Sequence, residues 1–495
     1  MGPRTQIGAA ALVIIGFLFL FGYYSYPVPL SDAECFLPPA ILLKAQHTLD
    51  VTPLCDAVGV GSGKYTQYPP LFELALKWLM PEPNPQSVFI SIAVINCLTV
   101  LLCALFFGGL SKERDNNISR FDVWLIILSL GGIATPLAYH TSGRPEALGT
   151  LVVISAMVCT SLAKPGWRWV VLGTALGIMG CTHPAGSLLF ALAIAMFYFV
   201  NAALTRALIA LLKTAALSLL VFLGLMLLSP NGLLETIRGI AMHASSLASR
   251  QVSGSLWDYW ILNPNATFYG IIFCVSVIGA VYVAFAHRTR IQSLAPALLT
   301  AILLIAATYY FVFRLPPSVY NATMFAPLFF WANLHSARYL IGKYRESRFR
   351  VRAIRSAFLL AAGLAAIGFV RVAVLFPYFL TEGVSLETAR ERFRELNLGA
   401  YDRVGVTFSM WVLTENYSDL FEVDGEPPIV VADHDAPIII QENYLASAVA
   451  PHVQGYRITH DFFNPKVPTL LGIRLATTMP GYSYAVYMPG SEKPK

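Results

Sequence analysis

The sequence predicts an α-helical polytopic membrane protein with about eleven transmembrane helices, interfacial helices in its first external loop, and a small C-terminal α/β domain outside the cytoplasm. Three observations predict it. Of 495 residues, 56% are hydrophobic and only 13% charged, against about a quarter charged in soluble domains. The charge also splits at residue 378. Residues 379–495 hold 15 acidic and 9 basic side chains, net −6, whereas 1–378 hold 13 and 25, net +12. Finally, the first region is a series of apolar segments of about 20 residues, the length that crosses a hydrocarbon core. A soluble enzyme, a disordered chain and a nucleic-acid-binding module are excluded, because none keeps so much apolar surface from water.

The apolar segments fall at 7–26, 87–109, 122–140, 146–163, 167–182, 184–203, 208–229, 267–286, 292–313, 319–337 and 356–378. The run 167–203 is broken only by His183-Pro184. One helix of that size would be about 55 Å long, beyond any bilayer, so the run reads as two spans. Lys and Arg in the loops number 17 on the side of the N-terminus and 7 on the other. That bias places the N-terminus in the cytoplasm and 379–495 outside it. The first span is preceded by Arg4 and ends in Tyr23, Tyr24 and Tyr26; it is long for a signal-peptide core and reads as an uncleaved anchor. A bacterial inner membrane is the expected location, although the same charge rule serves an endoplasmic reticulum. The basic stretch 338–355 reads as a topology anchor.

Charged groups at membrane depth or its edge are costly, so each is a candidate for function. They gather on the outer side. Asp32 and Glu34 follow the first span; His140, Arg144 and Glu146 form the turn between spans three and four; His183 caps the turn between five and six. Arg250 lies in the long external loop 230–265, Arg314 follows span nine, and Arg371 sits in the outer half of span eleven. A water-filled external cavity walled by span ends would collect them. Plainer readings stand beside these. Asp32 and Glu34 would serve as solvated caps of the next helix, Arg144 and Glu146 as an ion pair holding a turn, His183 as a satisfied turn residue, and the single arginines of late spans as snorkelling side chains.

The first external loop, 27–86, has its own organisation. Residues 37–49 read as an amphipathic helix opened by Pro38-Pro39, then a Gly-rich stretch follows, and Tyr68-Pro69-Pro70 opens a second apolar helix reaching residue 80. Such helices lie along the interface. Cys35 and Cys55 both lie in this loop, where an oxidising compartment would let them pair, the alternative being two free thiols. The other five cysteines sit on spans as small apolar residues.

Asp32-Ala33-Glu34 directly after the first span, the helix and Gly-containing stretch behind it, and Tyr68-Pro69-Pro70-Leu71 before span two resemble the first luminal loop of GT-C-fold glycosyltransferases. The likeness is to members that use polyprenyl-phosphate sugars, such as protein O-mannosyltransferases and aminoarabinose transferases. His140 followed by Gly143-Arg144-Pro145-Glu146-Ala147-Leu148 is similar to their segment before span four, and Thr182-His183-Pro184 is also familiar from them. The motifs cover about residues 1–200.

The resemblance implies sugar transfer from a polyprenyl-phosphate donor to a glycan, lipid or protein acceptor outside the cytoplasm. Asp32 is the first choice of base, with Glu34 as acceptor positioner or ligand of a divalent metal; either carboxylate remains open as the base. Attack opposite the phosphate inverts the anomeric carbon. Arg144 and Arg250 suit the leaving phosphate, because guanidinium binds it bidentately, and His140 and His183 would add neutral donors. Glu146, Tyr68, Arg314 and Arg371 are secondary candidates. No cofactor is fixed by the sequence, and the partners are donor, acceptor and membrane lipid, with no nucleic acid. One rival is a transporter or flippase of a lipid-linked saccharide, which would show internal repeats and polar groups at the midplane. The other is a glycan polymerase or ligase sharing the site chemistry.

For 379–495, a polar helix from Ser385 and apolar runs at 405–413, 429–432, 438–440, 470–476 and 483–488 predict a small α/β domain. Asp433-His434-Asp435 reads as a strand end entering a loop more readily than as a metal site.

Overall fold

The computed structural model describes residues 2–28, 36–49, 69–110, 118–139, 143–239, 241, 324–396 and 398, and, further on, 401–402, 404–406, 408–413, 420–422, 436–441, 456–462, 468–470, 473–476 and 480–489. In chain order the helices are α1 Pro3–Tyr23, α2 Leu37–Gln46, α3 Leu71–Leu79, α4 Pro85–Leu110, α5 Arg120–Tyr139, α6 Pro145–Leu162, α7 Arg168–Thr182, α8 Pro184–Asn201, α9 Leu204–Met226, α10 Ala326–Lys343, α11 Arg348–Glu382 and α12 Leu386–Glu395. Among the described residues, α1, α4, α5, α6, α9 and α11 are long and apolar enough to cross a membrane. The chain is an integral membrane protein. Expected spans 267–286 and 292–313, and most of the 230–265 loop, lie outside the described residues. Where a span is expected at 319–337 the structure has the helix α10, starting at Ala326, which is not among those six.

Proline decides several boundaries. His183-Pro184 divides 167–203 as expected, because the ring at Pro184 removes an N–H that only a first helical turn can spare. The packing follows from small residues. α11 runs along α5, where Gly132 lets the helices close: a Cβ there would collide with the Phe330 ring and stand 2.9 Å from the Ala365 Cβ. Alongside, the Thr135 hydroxyl donates to the Ala365 carbonyl at 2.7 Å and accepts from the Phe369 N–H at 3.0 Å. One side chain of α5 thus joins the two ends of a turn of α11.

One expectation needs correction. The 37–49 segment is helical, but Leu37, Pro38, Pro39, Ala40, Ile41, Leu42 and Leu43 are buried without a break. An amphipathic helix on an interface would expose every third or fourth of these. Residues 37–43 are instead covered all round, sharing a core cluster with Phe72 and Leu76 of α3, Ile92 of α4, Ala147 of α6 and Tyr482 of the C-terminal region, while Ala45 and Gln46 at the end of α2 are exposed.

The C-terminal region opens as expected, with Ser385 Oγ accepting from the Thr388 N–H at 3.1 Å to cap α12. The strands are β1 Val404–Val406, β2 Leu420–Glu422, β3 Ile438–Gln441, β4 Tyr456–Asp461, β5 Thr469–Leu470, β6 Ile473–Arg474 and β7 Tyr484–Pro489. A mixed sheet has the order β2-β1-β3-β7-β4, with β1 parallel to both neighbours and β7 antiparallel to β3 and β4. The run at 405–413 is only partly a strand, since Phe408–Leu413 is a 3-10 helix. The run at 470–476 contributes to a two-stranded hairpin, β5-β6. Residues 429–432 and the Asp433-His434-Asp435 cluster lie outside the described residues.

The region is seated on the helical bundle by named bonds. Tyr482 donates to the Ser25 carbonyl at 2.6 Å just after α1, and burial pushes its phenol up, so it stays a neutral donor. Tyr378 of α11 donates to the Thr469 carbonyl at 2.7 Å. Thr135→Val removes the hydroxyl bridge between α5 and α11 while keeping the volume. It is expected to cost about 1 kcal/mol, read as a lowered unfolding temperature in detergent with the helical content unchanged.

Candidate functional site

The site is assembled where α6 begins and α7 gives way to α8. Gly143 takes φ +113°, a conformation that side chains resist. Arg144 then adopts extended backbone, φ −119° and ψ 154°, as the N-cap residue of α6, because Pro145 disfavours helix at the residue before it. Two residues apart on a helix, Arg144 and Glu146 would point in different directions. The extended N-cap turns the arginine back instead, across the first helical turn.

There the guanidinium meets the Glu146 carboxylate. Nη2 lies 3.0 Å from Oε1, and Nε lies 3.3 Å from Oε1 and 3.2 Å from Oε2. The side chains are 10% and 1% exposed. His183 closes the cluster from the far side. It ends α7 and caps α8, with Nδ1 accepting the Gly186 N–H at 2.9 Å and Nε2 standing 3.6 Å from Glu146 Oε1. Buried charges persist only when compensated, and Glu146 is compensated by a full opposite charge, by the imidazole and by its place at a helix N-terminus.

The structure therefore brings together three predicted residues from separate parts of the sequence: Arg144, Glu146 and His183. The ion pair expected as the plainer reading of Arg144 and Glu146 exists, and it is buried. Arg371 is not brought to this cluster; its Nε donates to the Leu475 carbonyl at 3.1 Å, joining α11 to the C-terminal region. Asp32, Glu34, Cys35, Cys55, Tyr68, His140, Arg250 and Arg314 lie outside the described residues.

Two polar groups escaped the sequence reading. Glu73 on α3 is wholly buried, and its only signal was an acid within the apolar run Leu71-Phe72-Glu73-Leu74-Ala75-Leu76. Asn96 of α4, also buried, donates to the Leu137 carbonyl at 3.0 Å, in the last turn of α5. Among the described residues no group of three or more His, Cys, Asp or Glu side chains is placed to hold a metal ion.

Removing one member of a buried ion pair leaves the other uncompensated. Glu146→Ala is accordingly expected to destabilise the protein by about 3 kcal/mol or more, measured by thermal unfolding in detergent. Glu235→Ala, at an exposed pair with Arg238, changes stability by less than about 1 kcal/mol.

No family model matches the chain, and no curated protein matches it. Among solved structures, ArnT from Cupriavidus metallidurans in the apo state is similar over 98% of this chain and 97% of its own, at 14% identity and a TM-score of 0.51. ArnT from Cupriavidus metallidurans bound to undecaprenyl phosphate matches at 13% identity over 99% of each chain, with a TM-score of 0.48. Arabinofuranosyltransferase AftD from Mycobacteria matches at 11% identity over 99% of this chain and 40% of its own, with a TM-score of 0.45. Over almost its whole length, the chain has the fold of ArnT.

Proposed function

We propose that this protein transfers a sugar from a polyprenyl-phosphate donor to an acceptor on the extracytoplasmic side of the membrane, inverting the anomeric carbon. The observation that carries the reading is the buried Arg144–Glu146–His183 cluster at the ends of α6, α7 and α8, within an ArnT-like fold. A transporter would place such groups at helix breaks near the bilayer midplane, whereas these sit where helices begin and end. ArnT, whose apo form shares the fold, has been captured with undecaprenyl phosphate, a carrier of the class proposed here.

The chemistry has three needs, and the candidates divide among them. Asp32 is the base: its carboxylate takes the acceptor hydroxyl proton as that oxygen bonds to the anomeric carbon. The bond from that carbon to the phosphate oxygen breaks, and its electron pair leaves with the lipid phosphate, which gains a second negative charge. Arg144 and Arg250 meet that developing charge, with His140 as a neutral donor and His183 standing against the carboxylate that holds Arg144. Glu34 positions the acceptor or, with a divalent ion present, ligates it. Tyr68 and Arg314 are secondary candidates, and Pro70 is the N-cap residue of α3.

The test uses purified protein in proteoliposomes with a panel of polyprenyl-phosphate sugars. Asp32→Asn is expected to lower turnover by at least about a hundredfold while donor binding persists. Unchanged turnover removes Asp32 as base, and an absence of transfer from every lipid-linked donor removes the reaction itself.

A further inference from the structure

We infer that His183 is a positioning residue for the donor phosphate, acting through Glu146 on Arg144; the inference rests on the transfer reaction proposed above. Three observations meet at this imidazole. Its Nδ1 accepts the Gly186 N–H at 2.9 Å, which demands a lone pair there. The proton of the neutral ring therefore sits on Nε2. That nitrogen faces Glu146 Oε1 at 3.6 Å, in a setting where both side chains are almost wholly buried.

Glu146 is consequently held from two directions. Arg144 engages it through Nε and Nη2, and His183 stands against the oxygen that Nη2 shares. The guanidinium is a planar fork whose Nε–Nη2 edge is committed to this carboxylate. Its other edge, formed by Nη1 and the second N–H of Nη2, is directed away from Glu146 by the rigidity of the plane. A carboxylate that cannot rotate fixes the direction of that second edge, which is the bidentate face a phosphate recognises. His183 thereby sets the aim of a group it does not itself touch.

His183 also caps α8, so its two roles must be separated. Asn is a good N-cap whose side-chain oxygen can accept from the Gly186 N–H, yet it places nothing where Nε2 stands. Gln is a poorer cap, but its longer amide can donate toward Glu146. Binding of polyprenyl phosphate in detergent and transfer kinetics in proteoliposomes are measured for both. His183→Asn is expected to weaken lipid-phosphate binding and raise the donor KM about tenfold, with the unfolding temperature near that of wild type. His183→Gln is expected to regain most of that affinity with a lowered unfolding temperature. A purely structural role predicts the reverse ranking.

Arg144→Ala separates the two levels of inference. If it binds polyprenyl phosphate like wild type, the site reading and the role of His183 fall together. If it loses binding while His183→Asn retains it, only the role of His183 falls. Should His183→Asn fail to fold, ¹⁵N-histidine spectra of the wild type, assigned by difference from His183→Gln, decide the point: an Nε2–H tautomer is required, and an Nδ1–H tautomer overturns the inference.

Discussion

Inside hydrocarbon no water is at hand to satisfy a polar group, and this scarcity governs how the helical bundle is put together. Hydroxyls bond back along their own helices: Ser91 to the Ser87 carbonyl, Thr99 to Ile95, Ser129 to Leu125 and Thr150 to Glu146. Where a helix ends, another helix supplies the partner. Asn96 of α4 reaches the Leu137 carbonyl at the close of α5, and Thr135 of α5 enters the carbonyl ladder of α11. The Arg144–Glu146–His183 cluster obeys the same demand with charges in place of dipoles. A buried arginine costs too much alone and is retained only with its carboxylate close. Such a cluster adds little net stability compared with an apolar core.

Much of the bundle was legible because the features that mark it are local. Apolar length gives a span, and proline gives a boundary, so the division at His183-Pro184 followed from two residues and the thickness of a bilayer. The α2 helix was legible as a helix and misread as a surface one. Amphipathicity is judged against water, and nothing local shows that α3, α4 and the C-terminal region would cover residues 37–43 on every face. At 405–413 an apolar run fitted strand and 3-10 helix equally, since composition alone carries no hydrogen-bond pattern.

The cluster divides along the same line. Arg144 and Glu146 stood out as charges flanking a proline, and their neighbourhood in sequence made a pair foreseeable. His183 was visible as a turn residue, but its apposition to Glu146 depends on α7 running back alongside α6, a tertiary fact. Glu73 was missed because a single acid in a short apolar helix looks like an exposed edge until the covering layers are known.

The bond from Tyr482 to Ser25 joins residues 457 positions apart. Each doubling of loop length adds only about 0.6 kcal/mol to the entropy of closing it, so distance along the chain is no bar to such a latch. In this architecture the C-terminal region is tied to the exit of the opening helix.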